Sequence, residues 1–196
     1  MLKKMKLAVF DLDHTLMPLD TGDMWVRWLV HVQGLDPVPV VQELRRFARE
    51  YRAGTIDIDE FEDFQMKFLA QFKRQKLEAA LSDYIKTIIE PAVPQASRQL
   101  VESYAKAGDQ TALCTATYDF VSGAVARVFG IDHTLAAHPE QTPDGEFTGR
   151  LDGIASFQEG KVVMVQRLLE RLSEQGADIE GIDFYSDSCA DLPLFE

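Results

Sequence analysis

A run from Lys6 to Phe10, apolar after its first residue, predicts a short buried strand, and it is cut off at once by Asp11 and Asp13. From Asp20 to Ile89 the pattern changes. Apolar positions recur at spacings of three and four, the signature of amphipathic helices. Trp25, Trp28, Leu29 and Val32 form one stripe, and Val40, Leu44, Phe47 and Tyr51 a second. Phe61, Phe64, Phe68 and Phe72 form a third, and Leu77, Leu81, Ile85 and Ile88 a fourth. Four such helices can bury their stripes on one another.

Pro91 and Pro94 then punctuate the chain. A helix is expected over 95–107, with Ala96, Leu100 and Tyr104 inward and Gly108 as its stop. Thr111 to Thr115 reads as a second strand. Asp119 can cap a helix bearing Val121, Val125 and Val128 and ended by Gly130. Ile131 to Ala137 is a weaker strand, and Pro143-Asp144-Gly145 and Leu151-Asp152-Gly153 look like turns around a short hairpin. Val162, Val165, Leu168, Leu169 and Leu172 predict a helix before Gly176, and Ile182 to Ser186 a last strand.

Strands alternating with helices imply an α/β fold with a parallel sheet covered on both faces. The helical block separates the first strand from the others. We therefore expect a Rossmann-like core over 1–17 and 90–196, with a helical cap over 18–89 inserted into it. A helix beginning at Asp191 has no room to finish before Glu196, so either the fold is trimmed or the chain continues.

Composition narrows the class. The 196 residues and 46% apolar content suit one globular core with an inserted lobe. Acids outnumber bases by 32 to 20, for a net charge of −12, which argues against a nucleic-acid binder. The basic start, Met1 to Lys6, precedes an apolar run too short for a signal peptide, and no stretch approaches a membrane span. A cytoplasmic protein with no nucleic-acid or membrane partner is the expectation, with the oligomeric state open. Cys114 and Cys189 lack metal-ligand spacing and read as reduced, buried thiols.

Four stations of polar residues lie at strand ends or helix starts: Asp11, Asp13 and Thr15; Thr115; Lys161 after Gly160; and Asp187 with Asp191. In a parallel sheet such ends share one edge, where ligands bind. Four carboxylates could not coexist there unaided. An oxygen-only acid cluster points to Mg²⁺. Each residue alone has a plainer reading. Lys161 would be a solvated helix lysine, Asp191 and Asp20 helix caps, Thr117 a shaper of its loop and His14 an exposed turn residue.

The sequence Asp11-Leu12-Asp13-His14-Thr15-Leu16, followed in order by Thr115, Lys161 and Asp187-Ser188-Cys189-Ala190-Asp191, resembles the haloacid dehalogenase superfamily. The helical block after the first motif is similar to that of its phosphoserine-phosphatase-like branch and, within it, to bacterial histidinol-phosphate phosphatases. The resemblance covers essentially the whole chain. It implies a Mg²⁺-dependent phosphatase of a small phosphorylated metabolite. Asp11 would be the nucleophile that becomes an aspartyl-phosphate. Asp13 would protonate the leaving alcohol and then accept a proton from water. Thr115 and Lys161 would hold the phosphoryl oxygens. The side chains of Asp11 and Asp187 and the main-chain carbonyl of Asp13 would hold Mg²⁺, with Asp191 supporting it through waters or Lys161. Ala190 departs from the asparagine often found there, removing an amide from the metal loop and leaving the charged roles intact.

Within this resemblance Asp20 stands where phosphoserine phosphatases carry an acid for the substrate amine. Gln65 stands where they carry an arginine for the substrate carboxylate. A neutral amide does not replace bidentate guanidinium recognition. That points to histidinol phosphate, with Trp25 or Trp28 stacking on its imidazole, in preference to phosphoserine. Two readings from other classes are a phospho-accepting receiver module, which would lack the acid pair after the lysine, and a silent binding protein, which would have lost Asp11 or Asp13.

Overall fold

The computed structural model describes residues 4–195; the readings that touch Met1 to Lys3 and Glu196 lie outside the described residues. Four parallel strands form the sheet, in the order β3-β2-β1-β6. β1 (Lys4–Phe10) lies between β2 (Gln110–Cys114) and β6 (Asp178–Tyr185), and β3 (His133–Leu135) flanks β2. Phe10 is level with Leu113 on one side and Tyr185 on the other, so the residues that follow these three leave the sheet along one edge.

Alternation along β1 divides the interior. Ala8 and Phe10 face a core shared with α1 (Thr21–Val32), α6 (Gln95–Ala107) and α7 (Asp119–Phe129). Leu7 and Val9 face a second core closed by Val165, Leu168 and Leu172 of α8 (Glu159–Glu174). Side chains i and i+1 of a strand point to opposite faces. That is why this run is apolar at every position, and Leu7, Val9 and Phe10 each contribute roughly 1.5–3 kcal/mol by leaving water.

Between β1 and β2 the chain is helical, as the stripes predict: α1, α2 (Pro37–Ala53), α3 (Ile58–Leu69) and α4 (Arg74–Tyr84). The starts of the first three are fixed by Asp20, Asp36 and Asp57, whose carboxylates accept from Asp23 N, Val38 N and Glu60 N. The fourth stripe departs from expectation. α4 runs into a π turn (Ile85–Ile89) and a last turn, α5 (Glu90–Ala92), and the extra residue of the π turn makes Ile89 the buried position where Ile88 was expected.

Other differences are local. In α6 Val101 is the buried residue, whereas Ala96 is exposed and Leu100 and Tyr104 are half-buried. Asp119 does not cap α7: Tyr118 occupies that position without a side-chain bond, and Asp119 reaches His138 instead. The strand expected over 131–137 is confined to His133–Leu135, and β6 starts four residues earlier than expected, at Asp178. The hairpin forms as β4 (His138–Gln141) and β5 (Phe147–Asp152), turning at Gly145 with φ 86°. It is set against α3, where a Cβ on Gly149 would lie 3.3 Å from that of Ala70. Both cysteines are free, but only Cys114 is buried; Cys189 is exposed because it opens a 3₁₀ turn (Cys189–Leu194) at the surface. Among the described residues no helix is long and apolar enough to cross a membrane.

Candidate active site

The sheet's last hydrogen bonds fix the first polar residues beyond it. Asp11 N donates to Tyr185 O at 2.9 Å and Thr115 N to Leu135 O at 3.1 Å. After Asp11 the chain turns sharply, with Met17 N returning to Leu12 O and His14 at φ 60°. A non-glycine residue in that region is uncommon and typical of functional loops. Lys161 arrives from a different direction, at the third residue of α8. Gly160 before it has no room for a side chain, since a Cβ would stand 2.0 Å from Ala155 O.

These elements bring Asp11, Lys161 and Asp191 into one buried cluster. Lys161 Nζ donates to Asp11 Oδ1 at 2.9 Å and lies 2.8 Å from Asp191 Oδ1. Burial would push the ammonium pKa down, but Asp11 and Asp191 outweigh it and hold Lys161 charged. Burial pushes the Asp11 carboxyl above its ordinary range, with Lys161 and Thr15 working against it. Asp191 is fixed further by Ser186 Oγ at 2.7 Å.

Asp13 turns the other way. Its Oδ1 accepts from Thr21 N and Thr21 Oγ, both at 2.7 Å, and its Oδ2 from Thr117 Oγ at 2.8 Å. Burial, followed by the nearby charge of Asp20, pushes its pKa up to about 7. Gly22 permits this approach, because a Cβ there would sit 3.0 Å from Thr117 Oγ. Asp13 can therefore hold or release a proton near neutrality, while Asp11 two residues away is tied to an ammonium. Pairs of acids separated in this way divide catalytic roles.

The cluster fits a divalent cation through its donor set. Thr15 Oγ lies 3.2 Å from Asp11 Oδ2 and 3.1 Å from Asp187 Oδ1. A single hydroxyl proton can serve only one of them at a time. Asp11, Asp187 and Asp191 thus face Lys161 as the ammonium among them, and excess negative charge remains. Among the described residues no three acidic, His or Cys side chains converge as a ready-made cage. The Asp13 carboxylate is engaged by threonines and Asp191 by Lys161. Two carboxylates, main-chain oxygen and water suit Mg²⁺, which keeps much of its hydration.

Above this edge lies a cavity of about 380 Å³. Asp11, Asp13, Thr115, Lys161, Asp187 and Asp191 line its floor. Its wall comes from the inserted helices: Val26 of α1, Leu44 and Phe47 of α2, and Ile58, Phe61 and Gln65 of α3. Asp20 and Gln65, read from the sequence as substrate contacts, both line it. Trp25 and Trp28 do not. Trp25 is wholly buried against Tyr84 and Phe120, and Trp28 Nε1 donates to Ala80 O, because their face of α1 packs inward and leaves Val26 to the cavity. The Gln65 Nε2 and both Glu62 carboxyl oxygens are buried without hydrogen-bond partners. Burial, with Asp59 adding to it, pushes Glu62 up to about 7.

Thr21 and Thr117, which hold Asp13, and Ser186, which holds Asp191, are contacts of the candidate site that the sequence did not announce; the Thr115-x-Thr117 spacing was the available signal for one of them.

A family model for haloacid dehalogenase-like hydrolases matches residues 8–196. The chain belongs to that family. This haloacid dehalogenase-like hydrolase is 34% identical over 191 residues to a histidinol-phosphatase of Neisseria meningitidis serogroup C, covering 96% of this chain and 85% of the relative. A solved protein of unknown function from Bordetella pertussis Tohama I is similar at 35% identity with a TM-score of 0.88, over 98% of this chain and 86% of that one. A substrate-bound phosphoserine phosphatase shares the fold at 20% identity and a TM-score of 0.66, over 98% of this chain and 82% of that one. The hydrolase class and the α/β fold read from the motifs agree with these relatives.

Proposed function

We propose that this enzyme is a Mg²⁺-dependent phosphomonoesterase acting through an aspartyl-phosphate, and that its substrate is histidinol phosphate. The observation that carries the chemistry is Lys161 bridging Asp11 and Asp191 on the floor of a cavity where Asp13 is held apart. Asp11 Oδ attacks phosphorus while the bond to the substrate's ester oxygen breaks, and Asp13 gives that oxygen its proton. Asp13 then takes a proton from water as the water oxygen attacks phosphorus and the bond to Asp11 breaks, releasing phosphate. Lys161 and the Thr115 hydroxyl face the phosphoryl oxygens. Asp11, Asp187 and the Asp13 carbonyl would hold Mg²⁺, which would supply positive charge against the phosphate and the in-line transition state. Residues 18–89 act as the cap that covers this floor.

The substrate reading rests on the cavity wall and on the Neisseria relative's name. Phe61 brings a partly exposed aromatic side chain to a flat ring, Gln65 a neutral amide, and Asp20 a carboxylate for an amine. Arg52, exposed on the same cavity, favours phosphoserine as the second reading, since a guanidinium suits a carboxylate. Side-by-side turnover of the two esters decides between them. Histidinol phosphate should show the higher kcat/KM, and faster phosphoserine hydrolysis would reverse the assignment.

A further inference from the structure

We propose that Tyr51 is a positioning residue: its phenol ties α2 to the loop bearing Asp187 and Asp191 and so aligns that loop when the cavity is covered. The inference rests on the phosphatase reading of that loop.

Tyr51 lies near the end of α2, three residues before its left-handed glycine stop, Gly54. Its hydroxyl lies 2.6 Å from Ser188 Oγ, across 137 residues of sequence. Among the described residues this is the hydrogen bond that joins α2 to the strand-bearing part of the molecule; the other side-chain bonds of α2 stay within the inserted helices. The Tyr51 ring also meets Phe157 edge-on, with centroids 6.1 Å apart. Phe157 belongs to the segment leading into α8 and Lys161, so one side chain touches both loops that deliver charge to the floor.

The bond continues inward. Ser188 Oγ accepts from Ala190 N at 3.1 Å, which starts the 3₁₀ turn carrying Asp191. Ser188 N donates to Ser186 Oγ at 3.0 Å, and Ser186 Oγ donates to Asp191 Oδ2 at 2.7 Å. Asp191 in turn holds Lys161, which holds Asp11. Tyr51 is 42% exposed, so packing alone gives little reason for its ring to stand where it does. The phenol donates to, or accepts from, a serine already committed to shaping the Asp187–Asp191 loop. Covering the cavity and ordering that loop thereby become one event.

Tyr51→Phe keeps the ring on Phe157 and deletes the hydroxyl. A lost neutral hydrogen bond corresponds to a roughly three- to tenfold effect. We expect kcat on p-nitrophenyl phosphate to fall by about that factor, with KM changed less than about twofold and the melting midpoint lowered by no more than about 2–4 °C. Amide hydrogen exchange over 186–194, measured without substrate or metal, should quicken by a similar factor. Ser188→Ala should cost more, because it also removes the acceptor for Ala190 N, and in its background Tyr51→Phe should add nothing. Unchanged exchange over 186–194, unchanged kcat, or additive effects of the two substitutions overturns the proposal. A wild-type protein without turnover would refute the phosphatase reading instead, and the exchange measurement would still decide whether Tyr51 orders the loop.

Discussion

At the strand edge Asp13 accepts three hydrogen bonds, Asp191 accepts two, and Asp11 accepts from Lys161 and shares the Thr15 hydroxyl with Asp187, whereas on α3 the buried oxygens of Glu62 and the Nε2 of Gln65 accept or donate none. Both regions bury polar groups, and of the two α3 residues Gln65 lines the same cavity as the acids. The first is over-determined: each acid is fixed by residues from two or more segments, so its geometry survives without a ligand. The second is left open. An unpaired buried polar group costs about 1–3 kcal/mol, and α3 carries that cost at Glu62 and Gln65. The contrast suggests that reaction type is built into the floor and that the α3 wall keeps polar capacity in reserve.

The hardest test of this contrast is Asp11→Asn. It removes the nucleophile while preserving size and most hydrogen bonds, so hydrolysis of p-nitrophenyl phosphate with Mg²⁺ should fall by at least about 10³-fold. Retained turnover would show that the floor is not the reacting centre. Gly160→Ala comes next. The added methyl meets Ala155 O, a backbone atom that cannot step aside. Displacing Lys161 by even about 1 Å should lower kcat/KM by roughly 100-fold and depress the melting midpoint. An active, equally stable variant would mean that the floor tolerates movement.

The third test concerns the stability of α3 and leaves turnover aside. Glu62 has its pKa raised in the folded state from 4.5 to about 7, chiefly by burial. An acid raised on folding binds more protons when folded, so its contribution to stability falls as pH rises from about 4.5 to about 7 and is level above. Glu62→Gln abolishes that slope. Urea unfolding across pH should show the variant gaining on the wild type by up to about 3 kcal/mol between pH 4.5 and pH 8. Parallel profiles would mean that the carboxyl has a partner after all, and the contrast between floor and wall would weaken.

The floor was legible in the sequence because its residues belong to short local motifs whose chemistry is distinctive, and because a parallel sheet gathers strand ends without further instruction. Asp11 and Thr115 directly follow β1 and β2, and Asp187 stands two residues beyond the end of β6. The wall was less legible. A stripe of apolar residues tells which face of a helix is buried but not whether it meets the core or a cavity, which is why Val26 and Phe61 line the pocket and Trp25 does not. The π turn was invisible because one extra residue leaves the apolar spacing almost intact. The Tyr51–Ser188 bond joins residues too far apart in sequence for any local pattern to announce it.

The chain's two cysteines carry a practical consequence. Cys114 immediately precedes Thr115 in the sheet, and burial pushes its thiol up to about 12, so little thiolate forms there and alkylating reagents have no route to it. Cys189 is exposed and is the first residue of the turn that carries Asp191, directly after Ser188. A thiol-directed fluorophore would therefore attach at a single position without any engineering of the chain, within one residue of the Tyr51 contact. Its emission would report on the surroundings of the Tyr51–Ser188 contact and would shift where Tyr51→Phe removes it.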